Sequence, residues 1–285
     1  MSMRATTIIR EKAMNRPVQR VAIAGIGAIG IGLARHLAAG AVPGLALGAI
    51  AGRDMARTRS QATEILPGLT VVAAATLGEH ADIVVDCAPS AALREIAEPA
   101  LALGRTLVTV NAGALLSHLD LVDMARRTGG RILVPTGALL GLDAVRAAAE
   151  GRIERVTMVT RKPPRGLEGA PYLVENGISL TGLREPLLVF EGSAGDGAKA
   201  FPANVNVAAA LSLAGIGPER TRLQVWADPA LDRNRHTIEV EADSARFTMT
   251  IENIPSDENP RTGRITGLSV LACLRGLVET LHVGT

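Results

Sequence analysis

Gly25-Ile26-Gly27-Ala28-Ile29-Gly30 stands directly after the apolar run Val21 to Ala24 and directly before the apolar helical pattern Ile31 to Ala39. Strand, glycine turn and helix in that order form a cradle for the pyrophosphate of a dinucleotide. Gly25 permits the tight turn, Gly27 lets backbone approach a phosphate, and Gly30 lets the helix close on the strand. The helix start at Ala28 and Ile29 offers unpaired N–H groups and a positive dipole end to the anion. The second group with chemical capacity is His236. Of the five histidines, His36 and His282 fall in helical stretches, and His80 and His118 lie near surface helix starts. His236 instead begins a strand, beside Asp232, Arg233, Asn234 and Arg235. An unperturbed imidazole titrates at about 6.5, which suits proton transfer near neutrality. The competing account is a solvent-exposed strand-edge histidine. Arg161, Lys162 and Lys199 are the candidate cations for an anionic group of a substrate. For the first two, the competing account is a solvated strand end stiffened by Pro163-Pro164.

The tip of the second strand bears on which dinucleotide is used. An NAD enzyme usually places Asp or Glu there, accepting hydrogen bonds from the ribose hydroxyls. Here the tip reads Ala49-Ile50-Ala51-Gly52-Arg53-Asp54, with Arg57 and Arg59 following. A guanidinium at Arg53 can clamp a 2′-phosphate that a carboxylate would repel. NADP is therefore favoured slightly over NAD, with Asp54 expected to cap the next helix unless the strand runs further. Cys87 follows an apolar strand close to where the nicotinamide would sit, so a covalent thiol mechanism is conceivable. Asp86 beside it would raise rather than lower a thiol pKa, and packing is the better account. No cluster of His, Cys, Asp and Glu has metal-ligand spacing, so no metal is expected.

These groups must be positioned by the elements around them. From Val21 the chain alternates short apolar runs with amphipathic segments, the pattern of a parallel sheet flanked by helices. Strands are expected near 20–25, 45–51, 70–73, 82–87, 105–110 and 131–134, and helices near 28–39, 54–65, 90–103 and 117–128. Asp54, Ser90 and Ser117 are the expected N-caps. Beyond Gly141 the strands alternate, as in Thr237-Ile238-Glu239-Val240-Glu241, which indicates a sheet with one wet face. Its strands are expected near 153–160, 187–191, 222–227, 237–242 and 246–252, with helices near 141–150 and 204–214. The fold class is α/β: a Rossmann-type doubly wound parallel sheet plus a second α+β domain with an open mixed or antiparallel sheet. The expected division is a flexible lead-in over 1–19, a dinucleotide-binding domain over 20–140 and a substrate domain over 141–263. A helix beginning at 264 is expected to pack back on the first domain, with Leu268, Leu271, Leu274, Leu277, Val278 and Leu281 available for burial.

Composition excludes several classes. Hydrophobic residues make up 47% and aromatic residues 2%, with a net charge of +2, so neither base stacking nor a basic footprint supports nucleic-acid binding. No run is long and apolar enough to span a membrane. The two cysteines are too few for a disulfide framework, and the basic N-terminal stretch lacks the apolar core of a secretory signal. The chain is expected in the cytoplasm. Val225, Trp226, Ile238 and Val240 on an open sheet suggest self-association, so a homodimer through the second domain is expected.

Taken in order, several local sequences resemble the L-aspartate dehydrogenase family. After the glycine motif come Val110-Asn111-Ala112-Gly113-Ala114-Leu115, then the run from Val134-Pro135-Thr136-Gly137-Ala138 to Asp143, then Thr160-Arg161-Lys162-Pro163-Pro164. Further on stand Phe201-Pro202-Ala203-Asn204-Val205-Asn206, Arg233-Asn234-Arg235-His236 and Glu258-Asn259-Pro260-Arg261-Thr262. The resemblance covers almost everything from residue 20 onward. It implies an oxidoreductase that interconverts L-aspartate and oxaloacetate plus ammonia through iminosuccinate with NAD or NADP. In some members the imine passes to pyridine nucleotide biosynthesis. Within the resemblance His236 matches the catalytic histidine, and Ala138 and Asn206 match dinucleotide contacts, with Asn204 as the alternative alignment. The chain departs from the family at Asn111, where Ser is expected, and at Leu139-Leu140, where a smaller, glycine-containing pair is expected. Both changes fall in the expected cofactor cleft and bear on substrate identity. The rival readings are a related reductase of another imine, keto acid or semialdehyde, and a dinucleotide sensor without turnover.

Overall fold

The computed structural model describes residues 17–201, 206–256 and 263–284. The N-terminal sixteen residues of the expected lead-in, Asn204 and the motif Glu258 to Thr262 lie outside the described residues. The chain divides into two compact units. The first holds the described residues up to Thr109 together with Leu119–Pro135 and Val270–His282; the second holds Val110–His118 and Thr136–Ser269. The division is thus not a single cut. The segment carrying Asn111 belongs with the second unit, and the last helix, Arg264–Gly276, begins in one unit and ends in the other.

The first unit is built on six strands, β1 (Gln19–Ala24), β2 (Leu45–Ala51), β3 (Thr70–Val71), β4 (Ile83–Asp86), β5 (Thr106–Thr109) and β6 (Arg131–Leu133). All pair in parallel in the order β3-β2-β1-β4-β5-β6. This is the doubly wound order whose direction reverses between β1 and β4, where such sheets bind ligands at their strand ends. Val21, Ala22, Ile23, Val84 and Val85 are fully buried, because helices cover both faces of the sheet. The helix Ala28–Ala38 buries Gly30, Leu33, Ala34 and Leu37, one stripe at helical spacing.

Two expected caps do not hold. A 3-10 turn, Ser90–Ala92, precedes the helix Leu93–Ala102, and the cap of that turn is Pro89. The helix expected over 117–128 is Asp120–Thr128, and an unexpected short helix, Ala112–Leu116, precedes it, closed by Ser117. Its N–H donates to the Ala114 carbonyl, 3.0 Å, so it ends a helix rather than starting one. A five-residue helix is too short for its periodicity to be read from sequence. The last helix stops at Gly276 and buries Val270 and Leu274, whereas Leu268 and Leu281 are exposed. Arg275 anchors its end by donating to the Ala41 carbonyl at 2.8 Å, within the first unit.

The second unit carries β7 (Ile153–Lys162), β8 (Leu187–Ser193), β9 (Thr221–Ala227), β10 (Asn234–Ala242) and β11 (Arg246–Asn253) in the order β11-β10-β7-β9-β8. Only β7 and β9 pair in parallel; the sheet is mixed. The helices Leu142–Ala149 and Asn206–Ala214 pack on each other, and the latter on β9. Short helices over Pro171–Glu175 and Ala194–Ala200 were not expected, since the second reads Ala-Gly-Asp-Gly-Ala-Lys-Ala. Ser193 rescues it by accepting from the Asp196 N–H at 3.0 Å.

Burial alternates along β7 and β10, and the covered face holds Val156, Met158, Ile238 and Val240. Val225 is buried as well. The apolar argument for self-association therefore fails for Val225, Ile238 and Val240, which are core. The other face carries threonines and ion pairs, with Trp226 half-buried among them. Thr237 and Thr250 hydroxyls lie 3.0 Å apart, and Arg155 pairs with Glu241 at 2.9 Å.

Candidate active site

In the first unit, β1 delivers Gly25 with φ +86°, and its N–H donates to the Ala51 carbonyl at 2.8 Å. A Cβ on Gly25 would lie 2.5 Å from the Ala88 nitrogen, and one on Gly30 would lie 2.0 Å from the Gly25 carbonyl oxygen. A Cβ on Gly27 would meet nothing within 4 Å. Two glycines are thus demanded by the turn and the helix–strand approach, while the third leaves open space in front of the helix. No side chain caps the helix at Gly27, and its first turn holds no acid. The N–H groups of Ala28 and Ile29 therefore face that opening with the positive end of the helix dipole. A dinucleotide pyrophosphate fits these residues.

β2 ends at Ala51. Asp54 is the N-cap of the helix Met55–Ile65, its carboxylate accepting from the Arg57 N–H at 3.0 Å. The strand is thus short enough that Asp54 is committed to the helix, and Arg53 and Arg57 are exposed beside it. Burial and the Asp86 carboxylate push the Cys87 thiol far above its ordinary range, so it is no nucleophile.

Substituting two of these glycines separates their roles. Gly30→Ala is expected to destabilise the protein by about 1–3 kcal/mol, because a backbone oxygen occupies the Cβ position. Gly27→Ala is expected to change stability by less than about 0.5 kcal/mol yet weaken dinucleotide binding by about tenfold or more. Thermal melts and dinucleotide titrations check both.

In the second unit, three strands change character together at one end of the covered face. β7 runs Val156, Met158, Thr160, Lys162; β10 runs in the opposite sense through Val240, Ile238, His236, Asn234; β11 follows with Phe247, Met249, Ile251, Asn253. The register pairs His236 with Thr160 and with Ile251, and Asn234 with Asn253. Directly paired residues share a face, so the apolar core gives way to a polar end at Thr160, Lys162, Asn234, His236 and Asn253. His236 is 2% exposed and its Nδ1 lies 3.2 Å from the Thr160 hydroxyl. Burial, with the nearby Lys162 ammonium, pushes its pKa down to about 3. Burial alone pushes Lys162 down to about 8. The competing account, a solvent-exposed strand-edge histidine, fails, and the ordinary imidazole pKa expected of the catalytic one is corrected: His236 is enclosed because its own strand lies between two others, and burial favours its neutral form.

The candidate cations separate. Lys162 belongs to the His236 cluster. Arg161, one residue earlier, points to the other face, where it reaches Asp228 at 3.4 Å and lies 4.6 Å from the centre of the Trp226 ring. Alternation along β7 makes these two positions mutually exclusive. Lys199 is on the helix Ala194–Ala200, 85% exposed, with Asp196 at 4.0 Å. Neither Arg161 nor Lys199 joins the cluster. Ala138 lies in a turn bounded by Gly137 (φ +64°) and Gly141 (φ +67°). The Ala138 carbonyl accepts from Asn253 Nδ2 at 2.9 Å. Asn206 starts its helix and accepts from the Gly113 N–H at 3.0 Å, tying it to the segment that carries Asn111.

Thr160 and Asn253 were not singled out in the sequence. Thr160 has a readable signal, being two residues before Lys162 in an alternating strand. Asn253 has none, since only the β10–β11 register brings it to the cluster. Among the described residues no group of three or more His, Cys, Asp or Glu could hold a metal, and no helix is long and apolar enough to cross a membrane.

Comparison with known proteins follows the same division. A family model described as aspartate dehydrogenase, C-terminal, matches residues 143–277, and one described as homoserine dehydrogenase, NAD binding domain, matches residues 25–135. The chain is 59% identical to an L-aspartate dehydrogenase of Bradyrhizobium diazoefficiens, over 93% of this chain and 94% of that one. It is 56% identical to L-aspartate dehydrogenase 3 of Bordetella bronchiseptica, over 93% and 97%. Among solved structures, aspartate dehydrogenase from Thermotoga maritima shares the fold, with a TM-score of 0.73 at 24% identity over 93% and 99% of the two chains.

Proposed function

Because the chain belongs to the L-aspartate dehydrogenase family, we propose that it interconverts L-aspartate with oxaloacetate and ammonia, using His236 as acid and base and Lys162 as a carboxylate partner. The observation that carries this reading is that His236 and Lys162 are buried together at the polar end of one sheet, where burial favours the neutral imidazole. A dicarboxylate amino acid needs a cation for its carboxylate and a base for its ammonium proton, and this end supplies both.

The chain is a pyridine-nucleotide enzyme, and the bound nicotinamide supplies the hydride acceptor for the substrate α-carbon. The chain's own residues do the rest. In the tautomer whose Nδ1–H donates to the Thr160 hydroxyl 3.2 Å away, His236 Nε2 is left as the acceptor, and this reading uses that tautomer. Nε2 takes a proton from the substrate ammonium, so that the amine lone pair can drive hydride loss. After the imine forms, His236 gives that first proton to solvent, takes one from the water that adds to the imine, and returns it to the nitrogen, which leaves as ammonia as the carbinol hydroxyl loses its proton. Lys162 holds a substrate carboxylate, and that anion offsets the ammonium charge that disfavours imidazolium, so His236 becomes a better base once substrate is bound. Ala138 and Asn206 are the dinucleotide contacts of the second unit in this reading.

The coenzyme is NADP in preference to NAD, with Arg53 clamping the 2′-phosphate and Asp54 withdrawn into its helix cap. Purified protein given oxaloacetate and ammonium is expected to oxidise NADPH faster than NADH, and to need both substrates. Arg53→Ala should narrow that preference. Turnover with oxaloacetate alone would make the enzyme a hydroxy-acid dehydrogenase and overturn the assignment.

A further inference from the structure

One polar atom of the second unit is left over by this account. Asn253 is 4% exposed, and its Oδ1 is buried with no hydrogen-bond partner among the described residues. The amide cannot be turned to relieve this. Its other end faces the Ala138 carbonyl at 2.9 Å, an acceptor that requires the NH2 group there. A buried amide oxygen without a donor is costly, and it needs a physical account, of which a donor arriving with a ligand is one. A second observation bears on the same oxygen. A Cβ at Gly263 would come 3.2 Å from Asn253 Oδ1 and 3.3 Å from its Cβ, so glycine there avoids crowding this amide. Finally, Asn253 pairs with Asn234 across the β10–β11 ladder and so shares the covered face with His236.

We propose that Asn253 Oδ1 is a ligand-binding acceptor that receives an N–H group of the bound reactants, while its Nδ2 fixes the Ala138 turn. This rests on the dehydrogenase reading above and deepens it. The N–H comes from one of two sources with the same chemistry: the α-amino group of the substrate or the carboxamide of the nicotinamide. Either way the site rejects a ligand that lacks the donor, because the oxygen would stay buried and unpaired.

Two ratios of dissociation constants test this, measured by calorimetry on the full-length protein. The first compares L-aspartate with succinate, which has the two carboxylates and no amine, on dinucleotide-loaded protein. The second compares the natural dinucleotide with its 3-acetylpyridine analogue, which has a methyl ketone in place of the carboxamide. Asn253→Ala removes the acceptor and the Ala138 tie together; Asn253→Asp keeps an acceptor and loses the tie. One of the two ratios is expected to fall by about tenfold in Asn253→Ala and to survive in Asn253→Asp, and which ratio falls names the source. If Asn253→Ala does not stay folded, the near-isosteric Asn253→Leu carries the same comparison. Both ratios within about twofold of the unmodified protein in a folded variant, or a fall shared equally by Asn253→Asp, would overturn the acceptor role. An unmodified protein that neither binds nor turns over L-aspartate would instead overturn the dehydrogenase reading.

Discussion

His236→Ala is expected to lower turnover by about 10²–10⁴-fold while leaving dinucleotide affinity unchanged, because His236 is not among the proposed dinucleotide contacts, Gly25, Gly27, Gly30, Arg53, Ala138 and Asn206. Steady-state rates and dinucleotide titration on the same preparation separate the two. Its pH behaviour is equally specific. In the free protein the folded pKa is about 3, against an ordinary 6.5. The acid limb of kcat/KM should therefore lie well below pH 6.5. The linkage has one sign: between about 3 and 6.5 the unfolded chain binds a proton that the folded chain refuses. Stability from this group is complete above about 6.5 and is lost as pH falls toward 3. Thermal melts of His236→Ala should show a shallower loss across that window. Turnover within a few-fold of the unmodified protein would remove His236 from the mechanism.

Lys162→Met is expected to raise KM for L-aspartate by about 10- to 100-fold, the equivalent of about 1.5–3 kcal/mol for a lost hydrogen bond to a charged group. Two pH signatures distinguish this from simple damage. With its pKa lowered from 10.5 to about 8, Lys162 gives up its charge just above neutrality, so kcat/KM should fall on the alkaline side near pH 8 in the unmodified enzyme only. Removing the ammonium also removes a charge that depresses His236, so the acid limb of the variant should move up, while burial, the larger cause, still holds it below the ordinary imidazole value. Folding is linked in the same direction as for His236: the charged, buried ammonium disfavours the folded state below about 8, and stability rises as pH increases from there to 10.5. The methionine variant should lack that rise. An unchanged KM with an unshifted acid limb would show that Lys162 neither holds the carboxylate nor tunes the base.

What the sequence determined by itself is local. The cradle at Gly25, Gly27 and Gly30 was readable because a strand, a turn and a helix that adjoin in the chain also adjoin in space. The cap at Asp54 was readable for the same reason, its partner being three residues away. The parallel sheet followed from runs buried on both sides, and the mixed sheet from alternation. Alternation along β7 sets Arg161 and Lys162 on opposite faces, although in the sequence both stood as candidate cations. Tertiary structure decided which of those faces the helices cover, and so which cation is buried beside the histidine. It also decided that His236 is neutral and enclosed, since desolvation depends on what packs against a side chain and not on its neighbours in sequence. Asn253 belongs wholly to this second kind. Its place beside Asn234 comes from the register of a hairpin, and its hold on Ala138 spans more than a hundred residues, so no local pattern could announce either.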